Sequence, residues 1–242
     1  MPQIIPPVFF SKALTLVTLT VCPVKDAPRV EVLFGADKSF YTEQHSSATL
    51  KESLQQDKES TLTTEKGSTV FGVATSLTTG LFHVSFNTLT DQSGNQCLYI
   101  DKATLAITYS PAVFVSSDIL DLACTYQTTQ EHEWQHISID LAAMQEYIPH
   151  IKMDMLLYLR DLGYQGFGPY RQYETPKHVK ELTHQLDKAS EPMVENLREV
   201  RRERQRSIDT LENYKRESEK CPQDASQIHN RFYGKRSKSD KR

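Results

Sequence analysis

Two histidines and a glutamate carry the clearest chemical signal in the chain. His132, Glu133 and His136 form the pattern His-Glu-x-x-His. Histidines four residues apart lie on one face of a helix, so both imidazoles can bind the same Zn²⁺. Glu133 then stands beside the open coordination position, where it can take a proton from a zinc-bound water. The pattern predicts Zn²⁺ as cofactor, His132 and His136 as its ligands, and Glu133 as the catalytic base.

The surrounding residues predict the helix that this chemistry requires. Residues 125–147 contain no glycine and no proline, and Ile137, Leu141, Met144 and Ile148 recur at helical spacing. The alternative at this stage is a surface helix whose solvated face happens to carry two histidines.

Composition and charge favour a single domain. The chain has 242 residues, 38% of them hydrophobic, which is enough for one core. A net charge of −3 provides no overall positive field, so no specific nucleic-acid partner is predicted.

Residues 223–242 end in a basic cluster and are predicted to be a disordered tail. Residues 1–26 are predicted to be either an export signal or a first strand, because the apolar run at 13–21 is too short to span a bilayer.

The four cysteines bear on the cellular compartment. Cys22, Cys97, Cys124 and Cys221 form no Cys-x-x-Cys pair, which disfavours a cysteine zinc site. In an exported chain they allow three disulfide pairings. A Cys97–Cys124 bridge would fix the start of the motif helix to the sheet, and Cys22 would then bond to Cys221. The alternative is four free thiols in a cytosolic protein.

Hydrophobic patterning divides the chain into two halves. Short strand patterns within residues 27–121, a turn at 91–95 and a short helix at 46–56 predict a small, mostly antiparallel N-terminal sheet. Residues 122–220 are predicted to be helical, with a glycine-rich loop at 163–169 between two long helices. The expected fold class is α+β: the sheet is followed by a long C-terminal antiparallel helical hairpin that carries the motif.

The hairpin suggests a third metal ligand. If both helices rise about 1.5 Å per residue from a turn near residue 170, His132 faces approximately residue 208. Asp209 is therefore the predicted third ligand, with Glu212 as the second choice. Asp140, four residues after His136, is predicted to hydrogen-bond to that histidine without binding the metal. For Asp209 the alternative is an ordinary aspartate on a helix surface.

Taken together, these segments resemble a family of uncharacterised, exported bacterial proteins that are predicted to be zinc-dependent metalloproteases. The resemblance covers roughly residues 97–221. Its segments are Cys124-Thr125-Tyr126, Glu131-His132-Glu133-x-x-His136-x-x-x-Asp140, and Ile208-Asp209-Thr210-x-Glu212-x-Tyr214 ahead of Cys221. The resemblance implies a protein of the bacterial cell envelope with a motif helix and a long C-terminal helix. A single zincin-like domain is expected over residues 27–222.

Two functions follow as expectations. The first is a zinc-dependent peptidase, periplasmic or secreted, that acts on a peptide or protein substrate. The second is a non-catalytic binding or structural protein of the envelope with a structural or vestigial metal site. Structural zinc sites usually have four protein ligands, whereas catalytic sites leave one position open. No transmembrane helix is expected, and a cytoplasmic location stays open.

Overall fold

The computed structural model describes residues 21–56, 69–162 and 166–234. In this part of the chain a five-stranded sheet packs against two long helices. The strands are β1 (Arg29–Ala36), β2 (Phe40–Thr42), β3 (Gly72–Thr90), β4 (Asn95–Val115) and β5 (Phe167–Arg171). The helices are α1 (Ser47–Gln56), α2 (Ala123–Asp161), α3 (Thr175–Arg206), α4 (Leu211–Glu219) and α5 (Ala225–Ile228), with a 3₁₀ turn at Ser117–Ile119 and a π-helix at His229–Tyr233.

The sheet is organised around β4. Its side chains alternate along the strand, and Leu105, Ile107 and Tyr109 are among those that point into the main core. There they meet α2 residues such as Met144 and Ile151, which are fully buried. Burial of one such side chain contributes about 1.5–3 kcal/mol, so this face fixes the position of α2 on the sheet.

The predicted fold class was wrong in its sheet and in its helices. The sheet is mixed: β1 and β2 run parallel to β4, whereas β3 and β5 run antiparallel to it. It is also not confined to the N-terminal half, because β5 follows α2 and returns to β4. The parallel partners lie far apart in sequence, so local patterning could not reveal their pairing.

The helices do not form a C-terminal hairpin. β5 lies between α2 and α3, and the predicted second arm breaks after Arg206 and continues as α4. α2 continues through Pro149 to Asp161 without a break. Further helix follows at residues 225–233, inside the predicted tail. Residues 235–242 and most of the predicted export signal lie outside the described residues.

Two local predictions agree with the structure. α1 spans nearly the predicted residues, and the turn at 91–95 contains Gly94 with a φ of 81°. Pro111 lies inside β4. There the pairing with β1 ends at Tyr109 and the pairing with β2 begins at Ala112, so neither parallel neighbour pairs with Pro111.

The structure pairs the cysteines differently from the favoured prediction. The two disulfides are Cys22–Cys97 and Cys124–Cys221. The first joins the N-terminal segment to the start of β4, and the second joins the start of α2 to the segment after α4. Disulfides are typical of oxidising compartments and are consistent with a secreted or periplasmic protein. Among the described helices, none combines the length and the apolar character needed to cross a membrane.

Candidate metal centre

The structure brings three of the predicted site residues together. His132 and His136 lie one turn apart on α2 and are both buried, and Asp209 lies in the short connection between α3 and α4. The Nε2 atoms of the two histidines are 3.1 Å apart. Asp209 Oδ1 is 3.1 Å from His136 Nε2 and 3.5 Å from His132 Nε2.

These three separations fit a zinc ion. Zinc binds histidine nitrogen and carboxylate oxygen at about 2.0–2.2 Å, so ligand atoms at tetrahedral angles lie about 3.3–3.5 Å from one another. The triangle formed by the two nitrogens and the oxygen has nearly these edges. The fourth tetrahedral position has no ligand in this group, which consists of His132, His136 and Asp209 among the described residues.

The other ring nitrogens face hydrogen-bond acceptors. His132 Nδ1 lies 3.1 Å from a carboxylate oxygen of Glu217. His136 Nδ1 contacts Gln205 Oε1, and the Gln205 amide nitrogen donates to the His136 carbonyl oxygen at 2.9 Å. Contacts of this kind orient metal-binding imidazoles and fix their tautomers. Both Nε2 atoms are therefore available to a metal.

Asp140 contributes to this arrangement through an intermediate residue. It was predicted to bond to His136, but its carboxylate instead accepts a hydrogen bond from Gln205 at 2.6 Å. It also pairs with Arg201 and accepts a hydrogen bond from Tyr109 at 2.9 Å. Gln205 thus joins Asp140 to His136, and the ion pair with Arg201 holds the Asp140 carboxylate in place.

Glu133 lies beside the cluster at the first residues of β3. It is buried, and the Ala74 N–H donates to its carboxylate. A Cβ on Gly72 would overlap the Glu133 carboxylate and approach the Thr129 methyl group to 2.6 Å, so only glycine allows this approach. Burial raises the pKa of Glu133 to about 7, against the opposing effect of the nearby histidines.

The electrostatics of the cluster favour a positive charge at its centre. Burial alone lowers the pKa of His136, but the hydrogen bond and the charge of Asp209 more than offset this effect and raise it to about 9. Burial opposes ionisation of Asp209, yet hydrogen bonds to the two histidines hold the pKa of that carboxyl well below its usual range. A divalent cation would meet the same complementary charges.

A C-terminal segment, residues 207–224, covers one side of the centre. The Tyr214 hydroxyl donates to Asp209 at 2.7 Å, and its ring lies 5.3 Å from that of His132. At the end of the segment, Asp224 accepts hydrogen bonds from the Thr125 N–H and hydroxyl, both at 2.9 Å. Asp224 therefore caps the start of α2, whose own N-cap, Leu122, has no side chain that could do so.

Sequence reasoning missed Gln205 and Glu217, and it ranked Glu212 as an alternative ligand. Glu212 is exposed in the first turn of α4 and lies outside the cluster. A signal for Glu217 was present, because Tyr214, Glu217 and Cys221 recur at spacings of three and four residues. Gln205 had no comparable signal, since an isolated glutamine in a charged helix suggests an exposed position.

Comparison with known proteins adds no further assignment. The chain matches no protein-family model, no curated protein and no solved structure.

Proposed function

We propose that the chain is a zinc-dependent peptide hydrolase of the bacterial cell envelope. The observation that carries the proposal is the convergence of His132 Nε2, His136 Nε2 and Asp209 Oδ1 at separations near those of tetrahedral zinc ligands. The envelope location rests on the family resemblance and agrees with the two disulfides.

The residues have separate roles in this proposal. His132, His136 and Asp209 would hold the metal, which when bound supplies a Lewis acid that polarises a carbonyl and lowers the pKa of water to about 7. Glu133 would accept a proton from the attacking water and deliver it to the leaving amine. Glu217 and Gln205 orient the imidazoles, and Tyr214 holds the Asp209 carboxylate.

An extended peptide suits the surface beside the centre. In the described part of the chain β3 pairs with β4 alone, so no described strand covers its other edge. The first residues of β3, from Gly72 to Thr78, line a cavity of about 990 Å³ that also contains His132, Glu133 and Asp209. A peptide added to this edge would place a backbone carbonyl close to Glu133.

The alternative function, a non-catalytic protein with a structural metal site, has less support. Structural zinc sites generally have four protein ligands, whereas the cluster within the described residues offers three. The cluster also opens into the cavity rather than being enclosed by the core. Both features favour a centre that leaves one position for a reactant.

The test is the substitution Glu133→Gln. We expect the variant to keep about one zinc ion per chain and to lose peptide hydrolysis by about 10²–10⁴-fold, because a general base contributes that much without being a ligand. Elemental analysis gives the zinc content, and a library of quenched fluorescent peptides gives the rate.

Glu131→Gln is the matched control, because Glu131 is an exposed glutamate two residues earlier on the same helix. It should leave the rate unchanged. A Glu133→Gln variant that hydrolyses peptides at the parental rate would show that the proposed mechanism is wrong, and a parent that hydrolyses none of the library would remove the proposed activity.

A further inference from the structure

The cavity beside the metal centre is lined by three arginines of α3. β3 leads from Gly72, next to Glu133, to Thr78, where Arg198 and Arg201 of α3 contact it; Arg202 also lines the cavity. Arg198 donates to the Thr78 carbonyl oxygen at 2.9 Å, which places its guanidinium directly at the edge of β3. The Arg198 guanidinium therefore lies six residues along β3 from Gly72, the residue beside Glu133.

The three arginines differ in their partners. Arg201 is almost buried, with 11% of its side chain exposed, and its charge is neutralised by the buried Asp140. Arg198 and Arg202 share Glu195 at 2.9 and 2.8 Å, and Arg202 also pairs with Glu199.

Neither glutamate lines the cavity, and the Glu195 side chain is 51% exposed. Exposed ion pairs contribute about 0–1 kcal/mol, so a carboxylate arriving through the cavity can replace these partners at little cost.

We propose that Arg198 and Arg202 form a subsite for a carboxylate of the bound peptide. The inference rests on the proposed function, because it assumes that the peptide lies along the edge of β3. Thr78 is four residues beyond Ala74, which donates to Glu133. At about 3.3 Å per residue this is about 13 Å, so the carboxylate belongs about four residues from the scissile bond.

The carboxylate has two chemical sources. It can be the side chain of an internal aspartate or glutamate, or the C-terminal carboxylate of the peptide itself. The first makes the protein selective for acidic segments, and the second makes it selective for a fixed distance from a chain end. Both use the same guanidinium donors, which bind carboxylates with charge-assisted hydrogen bonds.

Binding of labelled peptides to the full-length, zinc-treated Glu133→Gln chain tests the subsite without turnover. The probes are amidated peptides that carry either glutamate or glutamine three to five residues from a fixed centre, and a third set that lacks glutamate but has a free C-terminus. We expect a carboxylate at that distance to strengthen binding about tenfold over the matched amide. The set that shows the gain identifies the source of the carboxylate.

Three further variants decide whether the arginines are responsible. Arg198→Gln together with Arg202→Gln should abolish the preference, whereas Arg206→Gln should retain it, because Arg206 is on the same helix but does not line the cavity. Glu195→Gln removes the partner that the two arginines share, so it should increase the preference. A merely structural role of the ion pairs predicts no such gain.

The outcomes separate the subsite from the proposed function. Equal binding of carboxylate and amide peptides, no binding of any peptide, or a preference that survives in the double arginine variant would overturn the subsite. Hydrolysis by the parent without any acidic preference would leave the hydrolase standing and remove the subsite alone. A binding preference for carboxylate peptides, together with no hydrolysis of any peptide by the parent, would support the subsite and contradict the proposed hydrolase.

Discussion

The two halves of the candidate metal centre are held in place by different forces. The α2 half contributes His132, Glu133 and His136, all buried, from the first half of a 39-residue helix that packs on the sheet. Core side chains follow on the same helix, among them Ile137 and Met144. This half is fixed by the hydrophobic core and does not need a metal to stay in position.

The other half, in the segment 207–224, has little core of its own. α4 contains no buried residue, and Leu211 at its start is 78% exposed. Within the segment, Ile208, Cys221 and Asp224 are buried, and Asp209, Tyr214 and Glu217 point at the histidines. Polar contacts and the Cys124–Cys221 bridge therefore hold this half.

The two halves therefore contribute to the centre in different ways. The core positions two ligands and the base in advance, and the C-terminal segment supplies the third ligand from a part of the chain with low local stability. Metal binding should then stabilise the segment more than it stabilises α2. We therefore expect the effect of a substitution on zinc binding and on local stability to depend on the half in which it lies.

Removal of both nitrogen ligands should have the largest effect. We predict that His132→Ala together with His136→Ala abolishes binding of zinc, because the remaining carboxylate is a single ligand. Equilibrium dialysis followed by elemental analysis gives the stoichiometry. His184→Ala is the control, because His184 is an exposed histidine of α3 outside the cluster, and it should bind about as much zinc as the parent. One zinc per chain in the double variant would move the metal centre elsewhere.

Loss of the third ligand should weaken zinc binding next most strongly. Asp209→Asn should reduce affinity by more than about 100-fold, which exceeds the usual effect of a residue that only supports a ligand. Glu212→Gln, three residues later and exposed, should bind zinc like the parent. Competition with a fluorescent chelator measures both. Equal affinities for the two variants would leave Asp209 as a hydrogen-bond partner of the histidines.

The contrast between the α2 half and the C-terminal segment also explains which site residues could be predicted from the sequence. His132, Glu133 and His136 were identifiable because their spacing is local and an α-helix converts it directly into geometry. Asp209 was proposed from a hairpin that the structure does not contain. The proposal still led to a residue beside the histidines, because α2 and α3 run in opposite directions: Gln205 contacts His136, and Arg201 pairs with Asp140. The helical rise applies whether or not β5 lies between the two helices.

The features that could not be predicted from the sequence depend on contacts between distant parts of the chain. The parallel pairing of β1 and β2 with β4, and the return of β5, leave no local pattern. The disulfide pairing depends on which segments the fold brings together, and four cysteines allow three pairings. Glu217 and Gln205 are polar residues of largely exposed helices, and only the tertiary structure shows that they face the histidines.

A residue that supports a ligand should have an intermediate effect. Glu217→Gln keeps the size of the side chain but removes the charge that faces His132 Nδ1. We expect zinc affinity to fall by about 10–100-fold. Glu219→Gln, an exposed glutamate on the same helix, is the control. The same chelator competition measures both variants, and an affinity of Glu217→Gln equal to that of the parent would show that this contact does not orient the imidazole.

Chelation of the metal should affect the two halves unequally. Removal of zinc from the folded chain should increase amide hydrogen exchange in residues 207–221 while α2 residues 130–150 stay protected, because the core holds α2 in either state. Hydrogen exchange followed by mass spectrometry resolves these segments. Equal increases of hydrogen exchange in both segments would contradict the conclusion that the core holds α2 whereas the metal stabilises the C-terminal segment.

The smallest effect on zinc should come from the disulfide of the C-terminal segment. Cys124→Ala with Cys221→Ala frees the end of this segment, whereas Cys22→Ala with Cys97→Ala acts at the far end of the β3–β4 pair. Either loss should destabilise the fold by about 2–4 kcal/mol. Only the first should weaken zinc binding, by about tenfold if the freed segment keeps Asp209 in place about a tenth of the time. Thermal unfolding with and without chelator separates the two effects. Equal zinc affinities in both double variants would mean that the polar contacts of Tyr214, Glu217 and Asp224 hold the segment without the bridge.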